Sequence, residues 1–208
     1  MNPRLIIVAA VVAALAFAGL LAGFLTRGDS DSGRDATADG VIAPDARFRG
    51  ARIPAGVRAP DFELKDQDGN PVSMRALRGK PVVVTFLYST CRDTCPATAQ
   101  QIRGALDELG HDVPAVAISV DPGTDTEQSA RRFLAEQNLT GRMTFALGRR
   151  NQLAPLWQAY GTTPQSVQEE HMARAVLVDA RGYQRVGYPM QETSPDMIAH
   201  DLRVLESG

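Results

Sequence analysis

The sequence predicts an α/β domain, with a central mixed sheet flanked by helices, preceded by one N-terminal transmembrane helix. Three observations lead there. Leu5 to Leu25 is an unbroken apolar run. β-branched runs at 82–88 and 115–121 alternate with segments whose apolar residues recur at helical spacing. Two further β-rich stretches flank the turn Asp179-Ala180-Arg181-Gly182. At 208 residues the chain has room for one domain and accessories, taking about 100–200 residues per domain.

Leu5 to Leu25 holds 21 residues without a charged or hydrogen-bonding side chain. As a helix it is roughly 31 Å long, matching a hydrocarbon core of about 30 Å. A cleaved signal peptide is the competing reading, because Ala16-Phe17-Ala18 has the small-x-small form of a cleavage site. Cleavage there leaves an apolar stub, which favours an uncleaved anchor at residues 1–25. No cysteine follows the run to accept a lipid. Arg4 precedes the span, whereas Arg27 is followed by Asp29 and Asp31, so the expected topology is single-pass in the cytoplasmic membrane, N-terminus inside, domain outside. Residues 26–47, rich in Gly, Ser and Asp, read as a solvated tether. The domain then occupies 48–208, with Phe48 and Ile53 among the first residues to touch it.

Along the domain, Ala59 to Leu64 alternates ahead of the turn Asp68-Gly69-Asn70-Pro71, predicting a short strand or hairpin. Val82 to Tyr88 is apolar on both faces and predicts a central strand. Pro96 to Leu109 spaces Ile102, Leu106 and Leu109 as a helix does. Ala115 to Asp121 predicts a second buried strand, Thr126 to Gln137 a helix through Ala130, Phe133 and Leu134, Met143 to Leu147 a short strand, and Asn151 to Tyr160 a helix. This alternation implies parallel pairing with helices on both faces. Ala173 to Pro189 reads as an antiparallel hairpin, and Ser194-Pro195 as the N-cap and N1 of a last helix to about Leu205.

Composition narrows the function. A formal charge of -2 lacks the basic surplus of nucleic-acid-binding domains. Two cysteines, Cys91 and Cys95, exclude both a disulfide-stapled scaffold and a four-thiolate zinc site. They lie between a buried strand and a helix, beyond a strand's carboxyl end, where α/β sheets bind ligands. A helix N-terminus favours thiolate there. On one helical turn, a spacing of four puts both sulfurs on one face, within reach of a disulfide or a shared metal ion. A purely stabilising disulfide closing so short a loop contributes about 2 kcal/mol, a weak reason for the pair. Two soft sulfurs with an imidazole suit copper, Cu(I) above all. His171, in a loop before the strand Ala173 to Asp179, is the candidate third ligand; His111 and His200 read as surface residues.

These motifs, Cys91-x-x-x-Cys95-Pro96 after an apolar strand, Ser119-Val120-Asp121-Pro122 followed by Asp125-Thr126, and a His before Val176-Leu177-Val178-Asp179 with Gly182, resemble the Sco/SenC copper-chaperone family. The resemblance covers about residues 48–206. It implies a thioredoxin-like fold, a tethered domain outside the cytoplasmic membrane, and copper, as Cu(I) or Cu(II), held by Cys91, Cys95 and His171. It also implies delivery of copper to the dinuclear CuA centre of cytochrome c oxidase, with the CuA-bearing subunit as partner, or reduction of the thiols of that centre. Family members commonly have Asp before the ligand His and Ser or Thr after it; here Glu170, which keeps the acidic character, and Met172 flank His171, and Arg92 stands where an apolar, aromatic or Pro residue is common. On this reading the chain is a metallochaperone rather than an enzyme. The alternative is an extracytoplasmic thiol-disulfide oxidoreductase in which Cys91 and Cys95 form the redox-active pair. Three intervening residues, against the two usual in thioredoxin-type redox sites, favour copper.

Overall fold

The computed structural model describes residues 47–162 and 174–208. The expected span at 5–25, the tether up to residue 46, and Glu170, His171 and Met172 lie outside them. Among the described residues no helix is long and apolar enough to cross a membrane.

Among the described residues eight strands and four α-helices follow in order: β1 (Ala51–Arg52), β2 (Glu63–Lys65), β3 (Pro71–Ser73), β4 (Val82–Leu87), α1 (Thr94–Leu109), β5 (Ala115–Ser119), α2 (Glu127–Glu136), β6 (Thr144–Ala146), α3 (Arg150–Ala159), β7 (Arg174–Val178), β8 (Gln184–Pro189) and α4 (Pro195–Glu206). Six of the strands form one sheet in the order β1-β8-β7-β4-β5-β6. β4, β5 and β6 run parallel, while β7 is antiparallel to both β4 and β8. The mixed sheet predicted from the sequence is therefore observed, and of the short strand or hairpin expected around Asp68–Pro71 the structure has the hairpin, β2 with β3, as a separate two-stranded sheet.

All six residues of β4 are buried, as its continuous apolar sequence requires. Its side chains alternate between two cores. Val83 and Leu87 join Ile102 and Leu106 of α1, Phe133 of α2 and Ile198 and Leu202 of α4. Val82, Val84 and Phe86 join Leu153, Leu156 and Trp157 of α3, with Leu64 of the hairpin. Gly104 lets α1 approach α4, since a Cβ there meets the Pro195 ring at 2.9 Å. Gly110 ends α1 at φ 79°, a left-handed cap natural to glycine.

Three details differ from the sequence reading. α1 begins at Thr94, two residues before the predicted start, so Cys95 is in its first turn while Cys91 lies outside it. The premise that both cysteines share a helical turn is thereby replaced. Ser194 occupies the N-cap position of α4 without capping it, because its hydroxyl bonds to the Asp196 carboxylate instead. β1, unforeseen, adds an edge strand through Ala51↔Gly187 and Arg52↔Val186. Beside it, Asp201 of α4 accepts from the N–H groups of Arg49 (2.8 Å) and Gly50 (2.9 Å) and from the Tyr188 hydroxyl (2.5 Å).

Candidate metal and thiol site

β4 delivers the chain to the carboxyl end of the sheet at Tyr88, and a turn closed by Cys91 N–H to Tyr88 O (3.2 Å) places Cys91 over the start of α1. Asp93, at the N-cap, makes no side-chain cap. The Cys91 sulfur takes that place, accepting the Cys95 backbone N–H at 3.2 Å, with the Thr94 hydroxyl at 3.7 Å. The sulfurs are unequal in access: Cys91 is 9% exposed and Cys95 is 0% exposed. Both are free thiols here.

Their acidities are pushed apart. A hydrogen bond from the Cys95 thiol lowers Cys91 to about 4, with further lowering by backbone N–H groups of Asp93 and Cys95 and by the Tyr88 phenol, against the opposing effect of burial. Cys95 is pushed up, first because its S–H is engaged by Cys91 and then by burial. Tyr88, donating to the same sulfur, is likewise held above its ordinary value. The site thus presents one thiolate near the surface and one protonated thiol behind it, the division between attacking and resolving sulfur that thiol exchange uses.

The loop carrying Cys91 is fixed from behind by Asp125. Its carboxylate accepts from the Ser89 N–H (2.7 Å), the Ser89 hydroxyl (2.6 Å) and the Ser119 hydroxyl (2.5 Å), and Ser89 Oγ also meets Ser129 Oγ at 2.7 Å. Burial pushes the Asp125 carboxyl up while these donors pull it down. Trp157 Nε1 donates to the Ser119 carbonyl at 2.9 Å, so α3 braces the same strand end. Tyr88, Ser89 and Asp125 were not singled out as site residues by the sequence reading. The available signal was a Tyr and a Ser directly upstream of the first cysteine and an Asp closing the second motif.

Cys91 and Cys95 are brought together as predicted. His111 and His200 are not part of the site: His111 pairs with Glu206 at 2.8 Å beyond the far end of α1, and His200 with Asp201 at 2.8 Å. Among the described residues no three His, Cys, Asp or Glu side chains converge to hold a metal ion. Two sulfurs alone suit a soft ion such as Cu(I) and leave its coordination to be completed by a further donor. β7, the strand that follows His171, begins at Arg174 at the thiol end of the sheet, since Ala175 pairs with Thr85 and the Thr85 hydroxyl donates to Arg174 O at 2.9 Å.

The SCO1/SenC family profile matches residues 52–206. Protein SenC of Rhodobacter capsulatus is 40% identical over 75 residues, covering 35% of this chain and 34% of that protein. Alignments to three Sco- or SenC-named relatives span between 24% and 47% of their lengths. A chloroplastic peroxiredoxin Q of Sedum lineare is 27% identical over 161 residues, covering 76% of this chain and 80% of that protein. Among solved structures, Bradyrhizobium japonicum ScoI with copper bound superposes with a TM-score of 0.60 at 27% identity, over 71% of this chain and 99% of that one. BsSco, a member of the Sco family of cytochrome c oxidase assembly proteins in which a disulfide switch was identified, matches with a TM-score of 0.66 at 23% identity, over 75% and 97%. The mixed α/β fold is thus thioredoxin-like, in its Sco form, and with the family profile spanning most of the domain, the chain belongs to the SCO1/SenC family.

Proposed function

We propose that this chain handles copper during cytochrome oxidase assembly, holding one Cu(I) between Cys91, Cys95 and His171 and passing it by ligand exchange to the CuA centre. The observation that carries this reading is the pair of unequal sulfurs at the carboxyl end of β4. Two residues lie between His171 and Arg174 at the thiol end of the sheet, three chain steps that reach at most about 10 Å. The copper-bound ScoI structure supports the metal, and the assembly role of the Sco family supports the destination. The segment 5–25 acts as an uncleaved anchor and holds the domain outside the cytoplasmic membrane. Reporter fusions after residue 30 test this, and cytoplasmic reporter activity overturns it.

The test of the ion is an anaerobic Cu(I) titration of the reduced full chain in non-ionic detergent. One equivalent binds; Cys91→Ser and Cys95→Ser abolish it, and His171→Ala weakens it by at least about 10-fold. A second reading, thiol-disulfide exchange on other proteins, is favoured by the division of the pair into a thiolate at the edge of the core and a fully buried thiol, and by the extended match to a peroxiredoxin. Full copper affinity in His171→Ala, together with rapid reduction of insulin disulfides by the wild type, replaces the first reading with the second.

A further inference from the structure

Beside Cys91 lies a hollow of about 280 Å³ between the start of α1 and α2. Cys91 forms one wall, Phe133 and Ser129 of α2 another, and three charged side chains stand around it: Arg92, Arg132 and Glu136. Arg92 and Arg132 are both exposed. Among the described residues neither guanidinium lies within ion-pair distance of a carboxylate, whereas Arg131, the next residue on α2, is used by Asp68 at 3.5 Å and Glu127 at 3.9 Å. Asp125, behind the hollow, turns its oxygens to Ser89 and Ser119. Glu136, one turn beyond Arg132, and the Cys91 thiolate balance the two guanidinium charges, so the attraction on offer is local to the Arg92 and Arg132 side chains.

Two free guanidinium groups flanking the more accessible sulfur contribute nothing to the fold that the described contacts reveal. They are placed to meet an approaching anion, and guanidinium is the side chain best shaped to grip a carboxylate in a bidentate pair. Anything that reaches the cysteine pair meets Cys91 first, because Cys95 is fully buried.

We propose that this hollow is the docking site for an acidic, thiol-bearing segment of a partner protein, whose carboxylates pair with Arg92 and Arg132 while its sulfur reaches Cys91. This rests on the reading that the cysteine pair exchanges metal or electrons with a partner's thiols, and it adds which partners the site selects. Charge of this kind acts mainly on encounter rate and on partner choice.

The test uses the reduced, metal-free full chain in non-ionic detergent and two synthetic peptides, Ac-Asp-Cys-Glu-amide and Ac-Asn-Cys-Gln-amide, each activated as its 2-thiopyridyl disulfide. The Cys91 thiolate attacks the peptide sulfur, the peptide-pyridyl S–S bond breaks, and the leaving group takes a solvent proton to appear as thiopyridone. Cys95 then loses its proton and attacks the Cys91 sulfur, expelling the peptide thiolate and leaving the protein disulfide. The protein dithiol is oxidised by two electrons and the activated peptide is reduced by two. At low ionic strength the acidic peptide reacts about 10-fold faster than the amide peptide with wild type, and Arg92→Ser with Arg132→Ser brings the ratio to within about twofold. Glu136→Gln raises the ratio, and about 1 M salt collapses it in wild type. Any change in intrinsic Cys91 reactivity affects both peptides and cancels in the ratio. A wild-type ratio near unity, or a ratio the double variant leaves unchanged, overturns the proposal. No metal enters this assay, so failure of the copper titration and failure of this docking site are read separately.

Discussion

Replacing Asp125 with alanine removes the acceptor for three donors at once: the Ser89 N–H at 2.7 Å, the Ser89 hydroxyl at 2.6 Å and the Ser119 hydroxyl at 2.5 Å. Hydrogen bonds to a charged acceptor contribute about 1.5–3 kcal/mol each, which sets an upper bound for the sum. Much of it is offset. The Ser89 hydroxyl keeps Ser129 Oγ at 2.7 Å, and burial already opposes the Asp125 charge. What remains is chiefly the orphaned Ser89 N–H and Ser119 hydroxyl, giving a net cost of about 2–3 kcal/mol. Urea unfolding of the reduced, metal-free protein measures it, as a midpoint lowered by about 1 M with an unchanged slope. Asp125→Asn keeps an acceptor oxygen and costs about 1 kcal/mol. Since burial raises the carboxyl, its neutral form favours the fold: that contribution is full below the unfolded value of about 4 and fades as the pH rises through the raised folded value. An alanine variant that loses under about 0.5 kcal/mol refutes the claim that this carboxylate holds the thiol loop.

With Cys91 lowered to about 4, its thiolate favours the fold above the unfolded value of about 8.5, and this contribution is lost as the pH falls from there to about 4; iodoacetamide accordingly alkylates the reduced metal-free protein at a nearly constant rate from pH 8 down to about 5, and Cys95→Ala moves that limb upward. A rate that falls tenfold per unit below pH 8 in wild type excludes the lowered thiol. Asp201→Ala strands the N–H groups of Arg49 and Gly50 and the Tyr188 hydroxyl, costing about 3 kcal/mol by thermal unfolding and speeding hydrogen exchange at residues 49 and 50, while Tyr188→Phe costs about 1 kcal/mol. Unchanged exchange at those amides in Asp201→Ala disproves the clasp.

The elements that were legible in the sequence carry their own pattern. β4 reads as a fully covered strand because all six residues are apolar or β-branched, and α2 declares itself through the helical spacing of Ala130, Phe133 and Leu134, all buried in the structure. β1 has no such pattern in two residues; it exists because β8 offers a partner edge and Asp201 collects the neighbouring amides. Spacing alone identified Cys91 and Cys95 as a pair, but the helix was expected from Pro96, because nothing local to Arg92-Asp93 announces that it starts at Thr94 and takes Cys95 into its first turn. Asp125 was visible as part of a motif, but its bonds to Ser89 and Ser119 cross from one strand end to another, and sequence-local reasoning does not reach such contacts. His171 was named from its place before a strand; what the structure adds is that this strand starts at the thiol end of the sheet.

The Asp201 clasp also settles how the domain is held mechanically. The chain entering the domain meets the core first at buried Phe48 and then at Arg49 and Gly50, whose N–H groups bond to a fully buried carboxylate of α4 that also accepts from Tyr188 of β8. β1 pairs over only two residues, and alone would peel away from its neighbour. With the clasp, the leading segment is tied to α4 and to β8 as well, and its edge strand stands three positions along the sheet from β4 and the cysteine loop that follows it.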